Sequence, residues 1–379
     1  MRGLEGPVLS GAGGRFPTRG DLVIRFIERY CVHVDGEWLG TPFLLRSWQK
    51  DMIREMFRIR PDGIRRYRWG TIGLPKKSGK TTLAAALGLY FLLADEEPAA
   101  MVPVAAASED QADLVFGAAR RMCQLSPRLS ALTECYEREI LVPSLPGSRM
   151  RRVAANAGLN DGLNISACVI DELHEFVGEK LTKTWHVLTN GTGARRQPFI
   201  LQITTAGYDR ETICYGQYAY GKRVVSGEIA DPSYFFLWRE APEGADWRDP
   251  AVWKDANPNY GVTVREEFFR DQLKKPENIF RRYFLNQWTN LEILWLPAGS
   301  WEACQEKQLE LEPKLPLHVA IDVGLRHDSS AVVCAQKNGD RIILRSRIWE
   351  NPYPEGHTLY DGWILPIAEL EGYLRELRV

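Results

Sequence analysis

The chain has 379 residues, of which 45% are hydrophobic and 26% are charged, and its formal net charge at pH 7 is −1. This length suits about two domains, and the composition is ordinary for a soluble globular protein. This net charge argues against a protein that coats nucleic acid with a wholly basic surface. The positive charge is nevertheless concentrated locally, because the segment 46–80 holds eleven Lys or Arg against three Asp or Glu. Such an excess suits binding to phosphate groups or to an acidic partner, and the alternative is a solvated basic face.

Cysteines and histidines indicate neither disulfides nor a zinc site. The seven cysteines stand singly, and the six histidines have no zinc-ligand spacing. No signal peptide is recognisable, and the apolar stretch 83–94 is too short to span a membrane. We therefore expect a soluble intracellular protein with reduced thiols.

The first predicted elements are helices. Residues 1–24 are rich in Gly, Pro and Arg, and we expect a flexible segment there. Apolar residues at helical spacing then predict two amphipathic helices, in "DLVIRFIERYCVHV" and "RSWQKDMIREMFRI".

Strands and helices alternate in the next part of the chain. A strand in "RYRWGTIGL" runs into the loop "PKKSGK", and a buried helix follows in "KTTLAAALGLYFLLAD". Beyond it we predict, in turn, the strand "MVPVAAAS", the helix "EDQADLVFGAARRMCQL", the strand "ACVIDE", the helix "LTKTWHVLTNGTG" and the strand "QPFILQITTAG". This alternation indicates an α/β fold with a doubly wound parallel sheet.

The remaining sequence divides near residue 300. Residues 215–299 are helical and aromatic in pattern, as in a lid or linker subdomain, and "WLPAGSWEAC" with "LEPKLPL" marks a boundary. After it, "HVAIDVGLRHDSSAVVCAQKNGDRIILRSRIWE" predicts three strands with a turn at "NGD". The predicted parts are thus a flexible segment at 1–24, an α/β domain at 25–214, the helical subdomain 215–299 and a last domain at 300–379.

The loop between the first strand and its helix approaches the phosphate-binding motif G-x-x-x-x-G-K-[ST]. Leu74 replaces the first glycine, but the strand, loop and helix follow in the required order. Backbone N–H groups from Ser78 and Gly79 to Thr82, with the helix dipole, would hold the β-phosphate of ATP. Lys80 would bridge the β- and γ-phosphates, and the hydroxyl of Thr81 would bind Mg²⁺. The alternative is a basic turn before a helix.

Two acids follow an apolar strand at a suitable distance. In "ACVIDE", Asp171 would hold Mg²⁺ and Glu172 would act as the general base that orients the attacking water. Thr204 and Thr205 end the next strand, where a hydroxyl can contact the γ-phosphate, although capping of the strand end is as ordinary a role.

Trp48 and Gln49 precede the phosphate loop. The indole could stack on adenine and the amide could hydrogen-bond it, while a packed helix tryptophan is an equally good account of Trp48.

Five stretches together resemble a known family. In the order and spacing of "LLRSWQ", "PKKSGKT", "ACVIDELHEF", "GARRQPFILQITTAG" and "FRRYFLNQW", residues 25–379 resemble the large terminase subunit of tailed double-stranded DNA bacteriophages. The resemblance implies a P-loop NTPase domain of the additional-strand type joined to an RNase H-like nuclease domain. It also implies that Lys76 fills the position of a basic charge sensor, commonly arginine in that family, where Lys lacks the bidentate fork.

The same resemblance implies a function and partners. Such a subunit hydrolyses ATP to move viral double-stranded DNA into the procapsid, and it cuts the concatemer. Its partners are the DNA, the portal protein, the small terminase subunit and further copies of itself in a ring, without a membrane. It works in the cytoplasm of the infected bacterial host and transiently at the procapsid portal.

For the nuclease domain, the resemblance points to acids that bind Mg²⁺ or Mn²⁺. Asp322 in "VAIDVG" matches the first metal-binding carboxylate, and Asp328 supports it. The chain ends at "IAELEGYLRELRV", before the strands that carry further acids in the family. We therefore expect a truncated nuclease domain that does not cut DNA and leaves an exposed apolar face.

Two other functions are compatible with part of the pattern. "SGKT" and "DELH" are close to the first motifs of superfamily 2 helicases, and a truncated terminase could act in assembly without turnover. Four arginines are candidates for the residue that stabilises the transition state in a neighbouring subunit, namely Arg151, Arg152, Arg195 and Arg196.

Overall fold

The computed structural model describes residues 8–9, 17–154, 162–289, 300–305, 310–324, 329–353 and 362–377. The chain divides into two compact units, Met1–Trp295 and Leu296–Val379, each of which is described by itself.

Within the described residues, the first unit is built on a nine-stranded sheet. Its strands in chain order are β1 (Val8–Leu9), β2 (Trp69–Gly73), β3 (Met101–Ala106), β4 (Glu134–Cys135), β5 (Glu139–Leu141), β6 (Arg149–Ala154), β7 (Ala167–Asp171), β8 (Phe199–Thr204) and β9 (Tyr234–Trp238). The spatial order is β1-β9-β2-β8-β7-β3-β6-β5-β4. Neighbours from β9 to β6 pair in parallel, whereas β1, β4 and β5 pair antiparallel.

Helices cover both faces of this sheet. In chain order the helices of this unit are α1 (Gly20–Tyr30), α2 (Ser47–Met56), α3 (Lys80–Leu93), α4 (Glu109–Leu125), α5 (Pro127–Ser130), α6 (Glu179–Asn190), α7 (Ile213–Val225), α8 (Pro250–Ala256), α9 (Glu266–Gln272) and α10 (Glu277–Leu285). Residues of α1 to α4 pack in one core cluster with the sheet, and residues of α6 and α7 pack in another. In β7, Val169 packs with the α3 side, while Cys168 and Ile170 pack with the α6 side. Burial on both faces explains why these strands read as continuous apolar runs.

The order of the central strands confirms the additional-strand arrangement. Strand β8 lies between β2, which leads into the phosphate loop, and β7, which ends in the two acids. The predicted strands and helices between 69 and 204 all form. The sequence analysis missed three further strands, β4, β5 and β6, of which β4 and β5 have only two and three residues.

The sequence analysis also missed β9. All five of its residues are buried, and it pairs in parallel with β2 inside the main sheet. The prediction that residues 215–299 are helical was therefore wrong for Tyr234–Trp238. Helices α8 to α10 that follow share an aromatic core of their own, which includes Trp253, Phe269 and Phe280.

The first residues of the chain are only partly described. Of the segment 1–24, which was expected to be flexible, the structure describes Val8–Leu9 and the residues from 17 onward. Strand β1 pairs with β9, and α1 begins at Gly20.

The second unit contains the three predicted strands. They are β10 (His318–Asp322), β11 (Ser330–Asn338) and β12 (Arg341–Trp349), which form an antiparallel sheet in this order. Two helices accompany them, α11 (Ser300–Ala303) and α12 (Ile367–Glu376). Val332 and Cys334 face a small core with Leu370 of α12. On the other face, Val333 and Leu344 remain exposed, so this unit has the apolar face that the sequence predicted.

Among the described residues, no helix is long and apolar enough to cross a membrane.

Candidate nucleotide-binding site

The site lies where three neighbouring strands end. Gly73 at the end of β2 is paired with Thr204 at the end of β8, and Asp171 at the end of β7 is paired with Ile203. Because the carboxyl ends of parallel strands meet at one edge of a sheet, the phosphate loop and the two acids come together there.

The backbone of the loop turns sharply into α3. Leu74 is fully buried, and its N–H donates to the carbonyl of Thr204 at 3.0 Å, so it extends β2 by one pairing. Lys77 and Gly79 have left-handed backbone angles, with φ of 69° and 73°. Gly79 is the N-cap of α3, and Thr81 and Thr82 lie half-buried in its first turn. The free N–H groups of this turn suit an anion.

The ammonium group of Lys80 is enclosed by oxygen atoms. Its Nζ donates to the carbonyls of Leu74 at 2.9 Å and Pro75 at 3.1 Å and to Oγ1 of Thr205 at 2.7 Å. Burial lowers the pKa of this lysine, against the opposing attraction of Glu172 and Asp171. Because burial destabilises the charged form of the ammonium group, an anionic partner bound beside it would be strongly favoured.

Asp171 is a buried carboxylate with one oxygen that has no hydrogen-bond partner. It is 2% exposed, and its Oδ1 has no hydrogen-bond partner. Burial, together with repulsion from Glu172, raises its pKa to about 7, although Lys80 acts in the opposite direction. An unpartnered buried carboxylate oxygen beside the Thr81 turn fits a hard divalent cation, which prefers oxygen ligands.

The raised pKa of Asp171 predicts a pH-dependent stability. Between the ordinary aspartate pKa of 3.8 and a pKa of about 7, the carboxyl is ionised in the unfolded chain and protonated in the folded one. Raising the pH through this range therefore lowers the free energy of unfolding, by at most about 4 kcal/mol. Asp171→Asn removes this cost, so its melting temperature should exceed that of the wild type increasingly from pH 5 to pH 8 without nucleotide. A difference that stays constant with pH would contradict the prediction.

Glu172 differs from Asp171 in backbone and in environment. It has a left-handed backbone with φ of 47°, unusual for a residue other than glycine. Its side chain is 24% exposed. Burial works against ionisation, but contact with His174 and the charge of Lys80 prevail and lower the pKa of Glu172 to about 2. The two neighbouring acids thus differ in exposure and in their contacts, and their pKa values are shifted in opposite directions.

The two threonines at the end of β8 have different partners. Thr205 contacts Lys80, as described above, whereas Thr204 accepts hydrogen bonds from the backbone N–H of His174. Of the two hydroxyl groups, therefore, only that of Thr205 contacts the phosphate loop, whereas Thr204 meets the loop through its backbone carbonyl. His174 was absent from the sequence-based site, although it lies in the same "DELH" stretch.

Trp48 and Gln49 lie in the first turn of α2 and differ in their contacts. Nε1 of Trp48 donates to Oδ1 of Asn259 at 3.0 Å, and Nδ2 of Asn259 donates to the carbonyl of Ser78 at 3.0 Å. Gln49 accepts from the backbone N–H of Arg46 and so caps its helix. Asn259 links the tryptophan to the loop, and no local sequence pattern indicated it. Adenine binding by Trp48 and Gln49 stays a prediction.

Lys76 contacts an aromatic ring. Its backbone N–H donates to the carbonyl of Tyr283 at 2.7 Å, and its Nζ lies 3.6 Å from the centre of the Tyr283 ring. Desolvation lowers its pKa. Next to it, Oγ1 of Thr263 contacts the carbonyl of Lys77 at 3.4 Å. Together with Asn259, these contacts fix three consecutive loop residues to the α8–α10 region.

Of the four candidate arginines, two are engaged within the unit. Arg152 forms ion pairs of 2.7 Å with Asp113 and with Glu109. Arg195 donates to three backbone carbonyls, those of Pro98, Ala99 and Asn164. Arg151 and Arg196 are exposed.

In the second unit, Asp322 is the last residue of β10 and is exposed. Asp328 lies outside the described residues. The described residues contain no group of three or more His, Cys, Asp or Glu that could hold a metal ion.

Two protein-family models match the chain. Residues 47–223 match the terminase large subunit ATPase domain, and residues 228–350 match the terminase large subunit endonuclease domain. The second match begins before β9, within the first structural unit, so the family boundary does not coincide with the division at residue 295.

Individual proteins and a solved structure are similar too. The large terminase subunit of Enterobacteria phage HK97 is 27% identical over 334 residues, which cover 86% of this chain and 64% of that protein. Protein YmfN of Escherichia coli K12 is 33% identical over 180 residues, 45% of this chain and 39% of that protein. The crystal structure of the HK97 bacteriophage large terminase superposes with a TM-score of 0.61 at 25% identity, over 88% of this chain and 68% of that one. The chain thus spans less than two thirds of either curated relative.

Proposed function

Because the chain belongs to the terminase large subunit family, we propose that it is an ATP-driven motor subunit that moves viral double-stranded DNA into a procapsid. The main observation is the group formed by Lys80 at the start of α3 and by Asp171 and Glu172 at the end of β7, with Lys80 desolvated and Oδ1 of Asp171 unpartnered. Both parts of the chain match terminase domains, so neither a superfamily 2 helicase nor a catalytically silent assembly protein has support.

Each residue of this site has a role in the proposal. Lys80 and the N–H groups from Ser78 to Thr82 bind the phosphates, and Thr81 with Asp171 holds Mg²⁺. The bound ion would neutralise phosphate charge as the terminal phosphoryl group leaves. Glu172, ionised at neutral pH, accepts a proton from the attacking water. In this proposal Trp48 and Gln49 contact the base, and Lys76 carries a further positive charge.

The proposal extends to partners and place. We propose that the chain acts in the cytoplasm of the infected host as a ring of copies at the procapsid portal, with the small terminase subunit. Steady-state ATP hydrolysis should be slow for the isolated chain and should rise with portal, procapsid and double-stranded DNA. A chain that never hydrolyses ATP under these conditions would contradict the proposal.

The exposed arginines give a further prediction for the assembled motor. The side chains of Arg151 and Arg196 are exposed and accessible to a neighbouring subunit, whereas those of Arg152 and Arg195 are engaged within the unit. A trans arginine is worth about 10³-fold or more in rate. We therefore expect Arg151→Ala or Arg196→Ala to lower ATP hydrolysis in the assembled motor and to leave the isolated chain unchanged. Full activity of both variants in the assembled motor would refute this assignment.

For the second unit, we propose Asp322 as a metal-binding carboxylate of the nuclease domain. Support comes from the family match and from its place at the end of β10. The expectation that this chain does not cut DNA stays a prediction. Incubation of plasmid with the protein and Mn²⁺ tests the expected absence of cutting. Cutting by the wild type that disappears in Asp322→Ala would overturn that expectation.

A further inference from the structure

His174 lies two residues after Glu172, in the single 3₁₀ turn Leu173–Glu175. Its side chain is only 3% exposed. A buried imidazole needs a partner for each ring nitrogen, and the identity of these partners determines what the ring can do.

Both ring nitrogens have partners. Nε2 lies 2.9 Å from Oε1 of Glu175. Nδ1 lies 3.1 Å from Oγ1 of Thr204 and 3.2 Å from Oε2 of Glu172. Oε2 of Glu172 has no hydrogen-bond partner, so its close approach to Nδ1 is an ion-pair contact. The ring therefore pairs with Glu172 by charge and with Thr204 by a hydrogen bond.

These distances indicate that both nitrogens carry protons. A lone pair on either one would face a carboxylate, which is unfavourable in a buried site. The hydroxyl of Thr204 lies 2.9 Å from the carbonyl of Thr205 and donates to it, which leaves its oxygen free to accept from Nδ1. Although burial opposes the charge, the contacts with Glu172 and Glu175 raise the pKa of His174.

The ring also connects the two ends of the catalytic group. Thr204 is joined to His174 by two hydrogen bonds, from the backbone N–H and from Nδ1. The next residue, Thr205, accepts from Nζ of Lys80 at 2.7 Å. A continuous path of polar contacts thus runs from Glu172 through His174, Thr204 and Thr205 to Lys80.

We propose that His174 is a positioning residue for ATP hydrolysis, which holds the Glu172 carboxylate in place and ties it to the end of β8 beside Lys80. The proposal rests on the function given above and adds a residue to it. Glu172 follows a strand end and has a left-handed backbone, so its own chain does not fix the carboxylate. The imidazolium, held on its far side by Glu175, supplies that constraint.

Steady-state kinetics of His174→Gln and His174→Ala test the proposal, with the exposed His186→Gln as the matched control. Without the imidazole, the Glu172 carboxylate is no longer held in place, and kcat should fall by about tenfold to a hundredfold. The KM for ATP should change by less than about twofold where ATP binding is intact. His186→Gln should behave as wild type.

A merely structural role is distinguished by repeating the substitution in the Glu172→Gln background. If His174 acts through Glu172, the second change should lower the single-turnover rate by less than about twofold. An unchanged kcat in the single variants, or the same fold loss in both backgrounds, would overturn the proposal.

Three further outcomes have defined consequences. If the His174 variants melt below the assay temperature, Glu175→Gln replaces them, since it keeps the ring and removes one anchor; an unchanged kcat would then overturn the proposal. A wild type without ATP hydrolysis would instead refute the proposed function itself. Hydrolysis by the wild type with unaffected His174 variants would refute only the positioning role.

Discussion

Lys80→Ala is expected to lower the rate of ATP hydrolysis by about a hundredfold or more. The ammonium group is desolvated and held at the start of α3 by contacts with Leu74, Pro75 and Thr205, so its positive charge lies beside the proposed phosphate site. Its removal takes away stabilisation of negative charge that grows on the phosphoryl oxygens in the transition state. The decisive measurement is steady-state phosphate release at saturating Mg·ATP.

Lys77→Ala is the control for this experiment. Lys77 lies in the same loop and carries the same charge, but its side chain is exposed. We expect it to retain most of the activity. Near wild-type turnover of Lys80→Ala would exclude this loop as the hydrolytic site.

Glu172→Gln should abolish most of the turnover while nucleotide binding remains. The amide keeps the shape of the side chain but cannot accept a proton from water, and general-base catalysis contributes about 10²–10⁴-fold. Lys80 and Asp171 still bind the phosphates and the cation, so the Kd for Mg·ATP should stay near that of the wild type. Single-turnover hydrolysis and equilibrium binding of a fluorescent ATP analogue measure the two effects separately.

Glu179→Gln is the matched control, because it makes the same chemical change at an exposed position in the first turn of α6. It should leave both quantities unchanged. If Glu172→Gln lost binding and turnover in equal measure, Glu172 would be needed for the bound state rather than for proton transfer.

The parts of the site that could be predicted are those specified by short segments. Leu74 to Thr82 combine a strand end, a turn and a helix start, and Asp171 and Glu172 follow a buried strand. Each signal lies within a few residues, and the sheet brings them together because parallel strands share one edge.

The parts that could not be predicted depend on contacts between distant segments. Asn259 reaches Ser78 across 181 positions of the sequence, and His174 reaches Thr204 across 30. The continuous apolar run of β9 has no alternation, so its pattern alone could not separate a buried strand from a helical segment.

The basic excess in 46–80 is a further example. The expectation of a phosphate-binding or solvated basic face considered only neighbours in sequence. In the fold, several of these cations pair with acids, most of them outside the run: Lys50 with Glu28, Arg54 with Asp21, Arg58 with Glu55, and Arg65 with Asp95. Much of the local charge is therefore compensated, and Arg65 is buried in this pairing.

The contact between Lys76 and Tyr283 has a consequence for hydrogen exchange. The amide proton of Lys76 is bonded to a carbonyl of α10, outside its own loop. It can exchange with solvent deuterium only when the loop and that helix separate locally. Deuterium uptake at this amide, compared with and without nucleotide, therefore reports how often the phosphate loop leaves the α8–α10 region, even where the average positions of the two do not change.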